Sequence, residues 1–143
     1  MTLWALVQSP LIIGADIRDG ELSTFTKSLL TNSGLLSMTA DIKRAHESVR
    51  HNTTNSGYII WQATSKQRTT LQYVAVFNLL NRTAAYNVSL QVLGLSTSGK
   101  PTTWTNLWHP SKAVDVGTGA VLHVELPAHG VLAASVAAAA VRE

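Results

Sequence analysis

The chain has 143 residues, no cysteine and a formal net charge of +3 carried by scattered basic residues. That length accommodates one domain plus a remnant of another rather than two full domains. The missing cysteines exclude a disulfide framework and a thiolate metal site, and a single adjacent basic pair, Lys43-Arg44, leaves no electrostatic footprint for nucleic acid.

Residues 2–7 have the composition of the last turns of a helix, which Pro10 ends by disfavouring helical geometry at Ser9. Residues 10–13 are a short apolar run that reads as a buried parallel strand. Gly14 breaks it, and Asp16 and Arg18 follow at its carboxyl end, where α/β barrels place their chemistry. Residues 21–30 resume a helical spacing with Leu22, Phe25, Leu29 and Leu30 on one face, and residues 33–38 form a shorter turn carrying Leu35 and Leu36. Residues 1–38 therefore read helix, strand, helix, a single copy of the α/β repeat that cannot bury both faces of its strand alone. Its apolar residues should remain exposed or fold back on the rest of the chain. The opening is apolar, yet no basic residue precedes Arg18, and Gln8-Ser9-Pro10 interrupts the run, so it does not read as a signal peptide. Residues 39–55 are rich in Lys, Arg, His and Asn and read as a linker.

From Ser56 onward the apolar period changes to two. Residues 58–63, 71–79, 85–93, 102–108, 120–126 and 130–136 are strand-like and separated by turn-rich pieces, which predicts an antiparallel β-sandwich over residues 56–136 and a fraying tail over 137–143. Tyr86, Val88, Leu90 and Val92 should face inward with Asn87, Ser89 and Gln91 outward, and Leu122, Val124 and Leu126 inward with His123 and Glu125 outward. Residues 71–79 are apolar on both faces and should form a central strand flanked by its hairpin partners. No apolar run reaches the roughly 18 residues of a membrane helix.

Chemistry-bearing constellations are sparse. The five histidines, His46, His51, His109, His123 and His129, show no metal-ligand spacing, so neither a metal nor another cofactor is expected. Trp104 and Trp108 share strand parity with Asn106; core packing is the favoured reading and a surface platform for a sugar ring the alternative. Asn52-Thr53-Thr54, Asn81-Arg82-Thr83 and Asn87-Val88-Ser89 are glycosylation sequons in the linker, at a turn and on an outward strand face.

The segment MTLWALVQSPLIIGADIR at residues 1–18, followed by Leu29-Leu30-Thr31-Asn32 and Leu35-Leu36, resembles the end of the catalytic (β/α)8 barrel in α-galactosidases (melibiases) of glycoside hydrolase family 27. Trp61-Gln62-Ala63, residues 73–79, Leu93-Gly94-Leu95, Asn106-Leu107-Trp108 and residues 126–130 resemble, in order, the strands of that family's carboxyl-terminal β-sandwich. Many members carry Ile-Asn-Gln-Asp where this chain has Met38-Thr39-Ala40-Asp41, so only Asp41 is kept. The resemblance implies a mainly β fragment, with a helix-strand-helix remnant of the barrel ahead of the sandwich. It also implies a retaining glycosidase of α-galactosides in carbohydrate metabolism, whose two catalytic aspartates lie on earlier strands absent from this sequence. Retention needs two carboxyl groups about 5 to 5.5 Å apart across the scissile bond, and Asp16 and Asp19 share one loop, so no catalytic residue is assigned and the chain alone is expected to be inactive. Asp16 and Arg18 remain the candidate substrate-proximal residues. The implied partner is the missing amino-terminal barrel of the same protein, with a galactoside bound only in the complete enzyme and a homo-oligomer left open. The implied location is the secreted or lysosomal and vacuolar route. An independent sugar-binding or protein-interaction module is the alternative.

Overall fold

The period-two alternation is realised as antiparallel strands in a computed structural model, which describes residues 1–10, 12, 14, 18, 22–53, 56–95, 102–117 and 120–138. Among the described residues three helices come first: α1 (Thr2–Leu6), α2 (Thr24–Leu30) and α3 (Ser33–Asp41). Eight strands follow: β1 (Ile42–Asn52), β2 (Gly57–Ser65), β3 (Leu71–Asn78), β4 (Ala84–Ser89), β5 (Thr102–Asn106), β6 (Asp115–Gly117), β7 (Val121–Leu126) and β8 (Val131–Ala138). They form a five-stranded sheet in the order β1-β2-β3-β8-β5 and a three-stranded sheet in the order β4-β7-β6.

Side-chain parity sorts the residues into two cores. Even-numbered residues of the large sheet, Ile60, Val74, Val76, Leu132 and Val136, meet Tyr86, Val88, Leu122 and Leu126 of the small sheet. Odd-numbered residues, Ala63, Leu71, Tyr73, Ala75 and Ala133, meet Ala5, Leu6, Leu35 and Met38 of α1 and α3. The molecule is thus a sandwich with a helical layer on the outer face of its larger sheet. β3 is apolar on both faces because it lies at the centre of that sheet, between β2 and β8. Its second neighbour is therefore the last strand and not its hairpin partner β4, which crosses to the other sheet.

The stretch 39–55, expected to be a linker, contains β1, which pairs antiparallel with β2 from Ile42↔Ser65 to Asn52↔Gly57. Two register shifts, between Lys43 and His46 and between Glu47 and Val49, interrupt its alternation. Charges and bulges are what an edge strand carries against unwanted pairing, and they are also what hides it from a periodicity reading. The helical turn expected at 33–38 extends to Asp41. The strand expected over residues 10–13 is not formed at Pro10 or Ile12, while Leu11 and Ile13 lie outside the described residues.

In the segment 85–93 the strand stops at Ser89. The N–H groups of Leu93 and Leu95 both donate to the Leu90 carbonyl, at 3.1 and 3.0 Å, and Gly94 takes a φ of +62°. This turn buries Leu93 and Leu95 and leaves Val92, expected inward, 61% exposed. β7 follows the expected parity, with Leu122 and Leu126 buried and His123 and Glu125 exposed.

Candidate functional site

Asp41, where α3 passes into β1, is the buried carboxylate around which the helices and the large sheet are joined. One carboxylate oxygen accepts from the Tyr73 hydroxyl at 2.8 Å and the other from the Gln67 N–H at 3.2 Å. The Asp41 carbonyl accepts from the Lys66 N–H at 2.7 Å. The Ser65 hydroxyl is the largest influence holding the Asp41 carboxyl below the ordinary aspartate value; burial opposes it, and the Tyr73 and Gln67 bonds add to the lowering. Burial, and then the carboxylate beside it, pushes the Tyr73 hydroxyl up to about 12. A carboxylate so fully engaged positions structure and has no free face for a substrate.

A second polar centre is Asn78 at the end of β3, only 3% exposed. Its amide nitrogen lies 2.9, 3.2 and 2.7 Å from the carbonyls of Arg82, Leu126 and Pro127. Its amide oxygen accepts from the Leu80 N–H at 2.9 Å and the Tyr86 hydroxyl at 2.6 Å. Sequence reasoning missed both centres. A short polar residue ending an apolar run was the available signal for Asn78; Asp41 stood out only through the family resemblance.

The two tryptophans do not share a face. Trp104 pairs with Val136 and packs against the core between the sheets. β5 ends at Asn106, whose side-chain oxygen accepts from the N–H groups of Trp108 and His109 at 2.9 and 3.0 Å and turns the chain. Trp108 consequently packs on the helical side, where its indole N–H donates to the Thr2 hydroxyl at 2.9 Å. The proposed common platform is replaced by two half-buried packing residues on opposite faces, because the strand stops before parity can carry to Trp108. Asp16 lies outside the described residues, and Arg18 is an exposed residue at a bend. Of the sequons, Asn52, Asn81 and Asn87 are all exposed, with Thr54 outside the described residues. No cluster of three potential metal ligands occurs among the described residues.

The helical layer has a different character on its outer side. Leu3, Trp4, Val7 and Leu36 are exposed there, together with Ile12, 81% exposed, and Phe25, 70% exposed. α2 buries none of its residues, although Ser23 caps it by accepting from the Thr26 N–H at 3.1 Å. Between α1 and α3 lies a largely apolar cavity of 270 Å³ bordered by Met1, Trp4, Ala5, Pro10, Leu35 and Leu36.

Residues 55–136, which hold β2 to β7 and most of β8, match the family profile described as the alpha galactosidase C-terminal beta sandwich domain. The chain belongs to this family. A curated relative of the α-galactosidase C-terminal sandwich, named "Probable alpha-galactosidase D" from Aspergillus flavus, is 29% identical over 133 residues, covering 92% of this chain and 19% of that protein. Its namesake from Aspergillus niger is 31% identical over 120 residues, covering 82% of this chain and 17% of that protein. The chain therefore spans about a fifth of the length of these relatives. Among solved structures, the β-L-arabinopyranosidase of glycoside hydrolase family 27 from Geobacillus stearothermophilus superposes with a TM-score of 0.78 at 28% identity, covering 99% of this chain and 29% of that one. An α-galactosidase from Saccharomyces cerevisiae shares the fold, with a TM-score of 0.77 at 17% identity. Coverage of 99% means that the helical layer, and not only the sandwich, has its counterpart in the arabinopyranosidase.

Proposed function

We propose that this sandwich is the non-catalytic carboxyl-terminal part of an α-galactosidase-type glycoside hydrolase, and that its helical layer docks on the catalytic barrel of the same polypeptide. The observation that carries this reading is the outer side of that layer. α1 and α3 bury Ala5, Leu6, Leu35 and Met38 on the large sheet, while Leu3, Trp4, Val7 and Leu36 of the same two helices stay exposed, Trp4 and Leu36 beside an apolar cavity. An α-helical layer that is apolar on its exposed side as well as its buried one has room for a second neighbour, and the four-fifths of the relatives' length that this chain does not match would supply it. The carboxylates described here point to the same division of labour. Asp41 is taken up by Tyr73 and Gln67, and Glu47 forms a surface ion pair with the Arg50 guanidinium three residues on. Separation of Trp104 from Trp108 removes the feature that favoured an independent sugar-binding module.

The names of the curated relatives support α-galactosides as the substrate class of the complete enzyme. A chimera tests the assignment: this chain replaces the matching carboxyl-terminal segment of the Aspergillus flavus relative, and hydrolysis of an aryl α-galactoside is measured. The chain alone should be inactive and the chimera active, and Phe25→Asp with Leu36→Asp should abolish secretion of active chimera while leaving the circular dichroism of the isolated chain unchanged. Hydrolysis by the isolated chain, or full activity of the double variant, would contradict the proposal.

A further inference from the structure

The sequon Asn81-Arg82-Thr83 occupies the turn between β3 and β4, and all three residues are exposed. The turn is nevertheless fixed: the buried Asn78 side chain holds the Leu80 N–H at 2.9 Å and the Arg82 carbonyl at 2.9 Å, and the Leu80 carbonyl accepts from the His129 N–H at 3.1 Å. The tripeptide itself is exposed and takes no part in a sheet ladder, so an enzyme can reach Asn81 and Thr83 together. Asn87-Val88-Ser89 differs. It runs within β4, paired Asn87↔His123 on β7, with Val88 buried in the core and the Asn87 side-chain oxygen 2.7 Å from His123 Nδ1. Once the sheet has formed, no enzyme can surround that tripeptide.

We propose that Asn81 is a site of N-linked glycosylation, modifiable on the folded domain. The co-reactant is a polyprenyl-diphosphate oligosaccharide. The Asn81 amide nitrogen forms a bond to the anomeric carbon and loses one proton, the bond from that carbon to the diphosphate oxygen breaks, and the polyprenyl diphosphate leaves with the bonding electron pair. Thr83 supplies the hydroxyl the sequon requires.

Position makes the modification compatible with docking. The fully buried contacts of β3 with the helical layer are Leu71, Tyr73 and Ala75, with Phe77 half-buried at the edge of the same cluster, and Asp41 joins it at Tyr73. Five residues of extended strand from Tyr73 to Asn78 span about 17 Å, so the Asn81 turn projects from the opposite end of the sandwich. A glycan there starts about 17 Å or more along the strand from the Asp41–Tyr73 junction with α3. The site is argued from the turn alone, so failure of the docking reading would leave it standing, and the reverse holds too.

The test expresses the full chain behind a secretion leader in yeast and maps glycopeptides of secreted and retained protein by mass spectrometry, after deglycosylation in heavy-oxygen water to mark former glycan sites. Asn81 should be occupied in most molecules. Asn81→Gln and Thr83→Ala should each remove the same single glycan without altering circular dichroism. Under native conditions the amidase should release the Asn81 glycan without unfolding the chain. An unmodified Asn81 in either pool, or occupancy that survives Thr83→Ala, overturns the proposal.

Discussion

Replacing Tyr73 by Phe removes one hydroxyl from the junction that ties α3 to the large sheet and leaves the ring's packing in place. The hydroxyl donates to the Asp41 carboxylate at 2.8 Å in a setting where Tyr73 is 5% exposed. Hydrogen bonds to charged groups contribute about 1.5–3 kcal/mol. The expected loss is therefore about 2 kcal/mol, or roughly 5–10 °C in thermal midpoint for a chain of this size. The pH dependence separates this bond from simple repacking. Asp41 has a folded value below its ordinary one, so its contribution is fully present above the unfolded value of about 4 and is lost as pH falls through the lower folded value. Tyr73 has a folded value raised to about 12, so its contribution is present below about 10 and is lost as pH rises from there towards the folded value. Urea unfolding followed by tryptophan fluorescence should show the gap between parent and Tyr73→Phe at neutral pH. That gap should close at acid pH as Asp41 protonates, and at alkaline pH as Tyr73 ionises. A Tyr73→Phe chain as stable as the parent at pH 7, or a gap indifferent to pH, would refute the bond's role.

Asn78→Ala deletes an amide that satisfies three carbonyls in two segments, so it should cost more than about 3 kcal/mol by leaving buried polar groups unpaired, measured as the urea midpoint or as loss of folded protein. Gly34→Ala would ordinarily favour α3 by about 1 kcal/mol through helix propensity. Here the new Cβ would stand 2.6 Å from the Leu107 carbonyl oxygen, so α3 must shift, and a lower thermal midpoint, not a higher one, is expected.

The strands that could be read from the residues are those whose sides differ in polarity. Residues of β4 and β7 alternate because one face meets the core and the other meets water, and β3 is apolar throughout because both of its faces are covered. That much is local: a side chain's face follows from its position along the strand. β1 and β6 escaped for reasons that are also physical, the first because bulges and edge charges break its period and the second because three residues carry no period at all. The candidate site was legible only in part. The sequons and the apolar helical residues could be named in advance. The partners of Asp41 and Asn78 could not, since Tyr73 lies 32 residues from the one and Leu126 lies 48 from the other.

The sequence by itself determined that this chain is an antiparallel sandwich with a helical segment ahead of it, and its motifs pointed to the α-galactosidase family. Only the tertiary structure decided that α1 and α3 cover the large sheet's outer face, that Trp104 and Trp108 part company at Asn106, and that Leu3, Trp4, Val7 and Leu36 of those helices stay exposed. Pattern reports which residues avoid water. Which other residues shelter them depends on strand order and crossing, and those are properties of the assembled chain.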